Sequence, residues 1–294
     1  MYKIVKDYRD NAVLRHSFNE LAKKTFGLDF EDWYQNGFWN DHYNPYSIVE
    51  DNRVLANVSV NKTDMILNET KPTEQRTLKH FLQLGTVMTE ESCRNRGYIR
   101  ILMEQIEKDY TKQDGIYLFA NDSVLSFYPK FGFNKALEYQ YSKEISGTGE
   151  CQFEKISMTC HREWKRLLDA MERNVFPCRF SMAGNKGLIM FYVTKFMQEC
   201  VYYHAESDTY LIAEIDGETI FLHNILSHTL QSLNDVTALL GKEIKKVALG
   251  FVPMEADGYT PLEYHEDDCT FFVKGSGTDI FNKEKLRIPS LSHA

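Results

Sequence analysis

Apolar and polar residues fall into two kinds of rhythm along this chain. Residues 46–50 and 54–60 are rich in β-branched and aromatic side chains, and the polar Asp51-Asn52-Arg53 between them predicts a hairpin. Residues 82–89 read as a further strand. From Gly97 to about Lys112 the rhythm changes: Ile99, Leu102, Met103, Ile106 and Tyr110 recur at steps of three and four. That spacing predicts a helix with one buried stripe. Gly115 then opens a short apolar run, residues 116–120, bounded by Asn121. Strand, helix and strand in that order predict a right-handed crossover between two parallel neighbours.

The second half repeats the order. Residues 201–225 alternate around Asp216-Gly217, a strong hairpin signal. Ser227 is expected to cap a helix with a stripe of Leu230, Leu233, Val236 and Leu240, stopped at Gly241. Residues 246–252 follow as a strand. Between the halves, the small polar run Ser146-Gly147-Thr148-Gly149-Glu150 predicts the boundary, giving domains 1–148 and 149–294.

Composition narrows the function classes. At 294 residues, 43% apolar and 13% aromatic, the chain can bury two cores. It has 34 basic and 42 acidic residues, a net charge of −8, so non-specific nucleic-acid binding is not expected. No run is long and apolar enough for a membrane span, and the first residues lack a signal-peptide core. Six scattered cysteines without a Cys-x-x-Cys pair predict reduced thiols, no structural zinc and a cytoplasmic protein.

Two stretches carry candidate chemistry. The first runs Val87-Met88-Thr89, then Arg94-Asn95-Arg96-Gly97-Tyr98-Ile99-Arg100, where a strand ends and a helix begins with no acid in its first turn. Unpaired amides and the peptide dipoles make such a helix start receptive to anions, and Gly97 lets a ligand approach the backbone. The arrangement suits a pyrophosphate, although a solvated basic turn would look the same. The second stretch follows the 116–120 strand: Asn121, then Phe127-Tyr128-Pro129-Lys130-Phe131-Gly132-Phe133. Asn121 or Asp122 is expected to cap a short helix ended by Gly132. This puts Tyr128 beside the carboxyl ends of two parallel strands, where open α/β sheets bind ligands.

In this order and spacing, the two stretches resemble the motifs of the GNAT superfamily of acyl-CoA-dependent N-acetyltransferases. Arg94-x-x-Gly97-x-Ile99 resembles the phosphate motif. Asn121 with Phe127-Tyr128-x-Lys130-x-Gly132-Phe133 resembles the later motif and is the more specific of the two. Asp32-Trp33-Tyr34, Phe38-Trp39, residues 45–49 and residues 56–60 are similar to the tandem-GNAT branch of enhanced intracellular survival acetyltransferases. The motif-level resemblance covers about residues 30–135. Ile99 departs from the small residue usual there, and the chain is expected to lack the branch's third domain.

The resemblance implies an α/β fold of two tandem GNAT-like domains. Each would have a mixed, mostly antiparallel sheet with flanking helices, and the second would be degenerate. It implies acetyl-CoA as co-substrate, no metal, and acetyl transfer to the primary amine of a small molecule or peptide by direct attack in a ternary complex. The alternative is a non-catalytic acyl-CoA-binding regulatory protein. Backbone groups of Val87, Met88 and Thr89 would pair with pantetheine, Arg94 to Ile99 would cradle the pyrophosphate, and Asn121 would bond the pantetheine arm. Tyr128 would protonate the leaving thiolate. The rings of Trp33, Trp39, Tyr43 and Tyr46 are expected to line the acceptor site, with core packing the competing reading. His80, Glu90, Asp41 and His42 are weak candidates for a general base, beside a water relay. Neither a nucleic-acid nor a membrane partner is expected, and an oligomer is left open.

Overall fold

A computed structural model describes residues 1–68 and 76–293. The first half runs β1 (Lys3–Lys6), α1 (Ala12–Phe26), α2 (Glu31–Gln35), β2 (Tyr43–Glu50), β3 (Arg53–Asn68), β4 (Arg76–Thr89), α3 (Tyr98–Asp109), β5 (Gly115–Ala120), β6 (Asn134–Lys135) and β7 (Glu138–Glu144). The second runs β8 (Glu154–Ile156), α4 (His161–Glu172), β9 (Cys178–Ala183), α5 (Lys186–Lys195), β10 (Val201–His204), β11 (Thr209–Asp216) and β12 (Thr219–Ser227). It continues through α6 (Leu233–Ala238), β13 (Lys246–Leu249), β14 (Val252–Pro253), β15 (Thr260–Tyr264), β16 (Thr270–Lys274) and α7 (Ile280–Lys283).

The strands form two mixed sheets with flanking helices. The first has the order β1-β2-β3-β4-β5-β16-β6, with β9 joining β3 and β14 joining β9; the second has the order β15-β7-β13-β12-β11-β10-β8. Each contains one parallel pair at its centre, β4 with β5 and β12 with β13, as the strand-helix-strand rhythm predicts. The expected hairpin turns form: Asp51 and Asn52 both adopt positive φ, as does Gly217.

The sheets do not divide where the sequence suggests. Strand β7 from the first half sits between β13 and β15, while β16 from the second half sits between β5 and β6. The halves thus exchange their penultimate sheet positions. A cut at 148/149 would strip an interior strand from both sheets. One continuous core, including Phe81, Tyr117, Phe180, Leu222, Leu249, Phe271 and Phe281, fills the space between them.

Two local expectations are corrected. Ser227 does not cap a helix: it is the last residue of β12, paired with Thr209, and Leu230 is exposed. The helix begins at Leu233, capped by Ser232 in a reciprocal box with Asp235, which supplies the first-turn donors with two acceptors. After Asn121 no α-helix forms, only 3₁₀ turns at Asp122–Val124 and Tyr128–Phe131. Pro129 lacks the N–H needed to continue a helix there, and Gly132 ends the second turn in the left-handed region. No helix among the described residues is long and apolar enough to cross a membrane.

Candidate active site

The site begins with a divergence of strands. β4 and β5 pair from Phe81/Gly115 to Leu84/Leu118 and then separate, although β4 continues to Thr89 along β3. Past Leu84 the β5-facing edge of β4 therefore has no strand partner, which leaves backbone donors and acceptors open to a ligand. Val87, Met88 and Thr89 lie on this stretch. Val87 and Thr89 are half-buried and Met88 is buried.

A β-bulge starts the divergence. Asn57 pairs with Met88 and Ser59 with Gly85, so Thr86 and Val87 together oppose Val58. Thr86 has φ of 48°, a strained conformation for a β-branched residue. Buried polar side chains hold it there. Asn57 donates from Nδ2 to the Thr86 carbonyl (2.9 Å) and to Ser59 Oγ (2.9 Å), and accepts from Ser47 Oγ (2.8 Å). The Tyr43 and Thr86 hydroxyls lie 2.6 Å apart. This support was missed in the sequence; its signal is the polar residue at every second position of an apolar strand, Asn57, Ser59, Asn61 and Thr63, all buried.

The chain then turns through Arg94, Asn95, Arg96 and Gly97, all exposed, into α3. Asn95 (φ 63°) and Gly97 (φ 78°) are both left-handed, and a side chain at Gly97 would meet nothing within 4 Å. α3 has no acid in its first turn, so its amides face outward uncompensated. The Arg94 side chain has no partner among the described residues. Arg96 donates from Nη2 to the Ser92 carbonyl (3.0 Å), and the Arg100 guanidinium lies 5.0 Å from the Phe131 ring centroid. Tyr98 is buried edge-on to Tyr2, and Ile99 packs partly into the core, so their backbones rather than their side chains lie at the turn.

Tyr128 is buried among Phe127, Phe133 and Phe272, and Phe272 pairs with Leu118 at the point of divergence. Its hydroxyl has no hydrogen-bond partner among the described residues. Burial pushes its pKa up to about 12, so the phenol stays protonated. Asn121 stands at the end of β5, but both of its side-chain contacts go from Nδ2 to Asp268, at the Oδ2 carboxylate (2.9 Å) and the carbonyl (3.4 Å). Only its side-chain carbonyl is left for a ligand. The Asp122 N–H also donates to Asp268 (2.7 Å), tying the β15–β16 turn to the end of β5.

The four aromatic residues expected at an acceptor site are packed into the core. Trp33, Trp39 and Tyr43 form one cluster with Phe30 and Phe191, with centroids 5.3 to 6.2 Å apart. Trp33 Nε1 donates to the Gly187 carbonyl in the second half, and Trp39 Nε1 to the Tyr43 carbonyl. Tyr46 lies on the α3 side and donates to Asp109. Of the four, Tyr43 alone reaches the bulge. None of the base candidates is free: His80 bonds Asp64, Asp41 pairs with Arg9, and His42 contacts the Lys62 carbonyl. Glu90 is bonded to Lys24, which holds its carboxyl below the usual range. No cluster of metal-binding side chains occurs among the described residues.

Residues 12–133 match the acetyltransferase (GNAT) family. A search of curated proteins finds no match. Among solved structures, a probable N-acyltransferase from Enterococcus faecalis superposes with a TM-score of 0.58 at 13% identity, over 96% of this chain and 74% of the other. Eis1 from Mycobacterium abscessus gives 0.52 at 10% identity, over 92% and 73%. A GCN5-related N-acetyltransferase from Anabaena variabilis gives 0.51 at 11%, over 93% and 72%. At such identities the likeness is one of fold, and it extends across both halves. Residues 12–133 are thus a GNAT acetyltransferase domain, in a chain whose two halves both have the GNAT-like fold.

Proposed function

We propose that this protein transfers an acetyl group from acetyl-CoA to a primary amine by direct attack in a ternary complex, with Tyr128 as general acid. The observation that carries the reading is the divergence of β4 from β5 beside an uncompensated, glycine-bearing helix start. An extended pantetheine arm would add to the free edge at Val87–Thr89 as a further strand does. The pyrophosphate would accept from the amides of residues 94–99.

The chemistry then follows from residue types. A neutral amine nitrogen attacks the thioester carbonyl carbon, and the C–S bond breaks with its electron pair leaving on sulfur. The nitrogen's surplus proton is released to water, the Tyr128 O–H is donated to the sulfur, and the tyrosinate left behind takes a proton back from water, so that thiol and amide leave with Tyr128 restored. A hydroxyl with no partner of its own, kept protonated by burial, suits that donation. An amine with a pKa of ~10.4 must be deprotonated first, at a cost of about 4 to 5 kcal/mol at pH 7. With the candidate bases all engaged, a water relay fits best.

The test has two arms. Calorimetry should show acetyl-CoA binding, and thiol release with a panel of primary amines should show turnover. Binding without turnover for any amine would favour the regulatory alternative, and no binding would end both readings.

A further inference from the structure

Among the described residues the buried Arg287 guanidinium has two nitrogens, Nε and Nη1, without a hydrogen-bond partner. Arg287 is 2% exposed, and Leu286 and Ile288 on either side are fully buried between the sheets. The Tyr139 N–H donates to the Leu286 carbonyl, and the Ile288 N–H to Glu138 Oε1 (2.9 Å). These bonds fix the Arg287 backbone against the start of β7 and leave its side chain inside. Its Cζ lies 3.7 Å from the Tyr264 ring centroid and 5.5 Å from that of Phe221. The rings serve the flat faces of the guanidinium but not its edge. Nε and Nη1 are buried without a hydrogen-bond partner, and Arg287 joins no ion pair among the described residues.

Arginine cannot relieve this by losing its proton. A buried charge without hydrogen bonds is strongly unfavourable, and among the described residues no anion hydrogen-bonds to this one. The Glu138 carboxyl feels the Arg287 charge but makes no hydrogen bond to it: one of its oxygens accepts from Ile288, and burial outweighs both and pushes the carboxyl up to about 7. His293, whose charge Arg287 also disfavours, is pushed down to about 3 and is uncharged, and its Nε2 is likewise buried without a partner. Its ring stacks on Phe119 of β5 with centroids 3.8 Å apart.

His293 stacks beside the carboxyl end of β5, and Arg287 lies close enough for its charge to act on His293. Phe119 directly precedes Ala120 and Asn121, and Tyr264 leads through an exposed turn to Asp268, which is bonded to Asn121. Tyr264 itself is half-buried at the end of β15, an edge strand. We propose that Arg287 anchors a carboxylate of the acceptor, so that the acceptor is an amine that also carries a carboxylate, as amino acids and short peptides do. The planar fork of guanidinium N–H groups matches a carboxylate in shape and charge. This inference rests on the acetyl-transfer reading for the identity of the acceptor, but not for the anion site itself.

Calorimetric titration of the full chain with N-acetylglycine and with its uncharged amide, N-acetylglycinamide, tests it. The carboxylate should bind at least tenfold more tightly than the amide. Arg287→Met should abolish the difference, and Glu138→Gln should tighten carboxylate binding by removing a competing charge. Equal binding of the two probes, no binding of either, or a preference that survives in Arg287→Met would overturn the proposal. Should Arg287→Met fail to fold by circular dichroism, the wild type and Glu138→Gln decide, the latter against the proposal if it binds carboxylate no better. Acetyl-CoA titrated into the same samples separates the two readings. Acetyl-CoA binding without carboxylate preference removes only the anchor, and carboxylate preference without acetyl-CoA binding removes only the transferase.

Discussion

Replacing Gly97 with alanine adds a single methyl group that would touch nothing within 4 Å, so any effect must come from the backbone. At φ of 78° a residue with a Cβ is strained by about 1 to 2 kcal/mol. The turn is exposed and lightly held, its bond from the Arg94 N–H to the Glu91 carbonyl being 3.3 Å long, so it can relax away from the strained form. Binding a pyrophosphate there would have to restore that form. Acetyl-CoA affinity should therefore fall by roughly 5- to 30-fold, the same 1 to 2 kcal/mol expressed in a dissociation constant. Gly27→Ala is the matched control: Gly27 has φ of 71° and equally open surroundings, but it ends α1, where its N–H bonds the Lys23 carbonyl. That variant should lose a similar amount of stability in urea unfolding and bind acetyl-CoA as wild type does. Unchanged affinity in Gly97→Ala, or equal loss in both variants, would refute the phosphate cradle.

Three further outcomes are expected. Tyr128→Phe should lower turnover by about 10²- to 10⁴-fold with acetyl-CoA affinity unchanged, and should unfold at nearly the wild-type midpoint because the hydroxyl has no partner to lose. Asn57→Ala takes the side-chain donor from the Thr86 carbonyl and one of two partners from the Ser47 hydroxyl, which keeps Tyr8, so urea unfolding should show a loss of about 1 to 3 kcal/mol, and acetyl-CoA affinity should fall with the bulge. Glu138, raised to about 7 in the fold, binds its proton more tightly there than in the unfolded chain, so it lowers stability as pH rises from about 4.5 to 7. His293, lowered to about 3, acts the opposite way between about 3 and 6.5, so the comparison of wild type with Glu138→Gln at pH 5 and 7.5 isolates Glu138: the variant should gain on wild type as pH rises.

Local pattern carried much of this molecule. The β4–α3–β5 crossover, the left-handed Gly132 and the Asp51-Asn52 turn all depend on neighbouring residues, and all were legible. The strand exchange was not, because β7 and β16 are short and nothing local says which sheet each joins. The rings of Trp33, Trp39 and Tyr43 were ambiguous for a related reason: aromatic residues serve cores and pockets alike, and their contact with Phe191 comes from far along the chain. Arg287 carries no motif, and only its burial beside Tyr264 and Phe221 marks it.

A crystal structure of the protein with acetyl-CoA tests the central claim most directly. The account predicts the diphosphate against the amides of residues 94–99, the pantetheine along Val87 to Thr89, and the thioester sulfur within hydrogen-bond reach of the Tyr128 hydroxyl. Acetyl-CoA held in the second sheet, or with its diphosphate away from the start of α3, would contradict it.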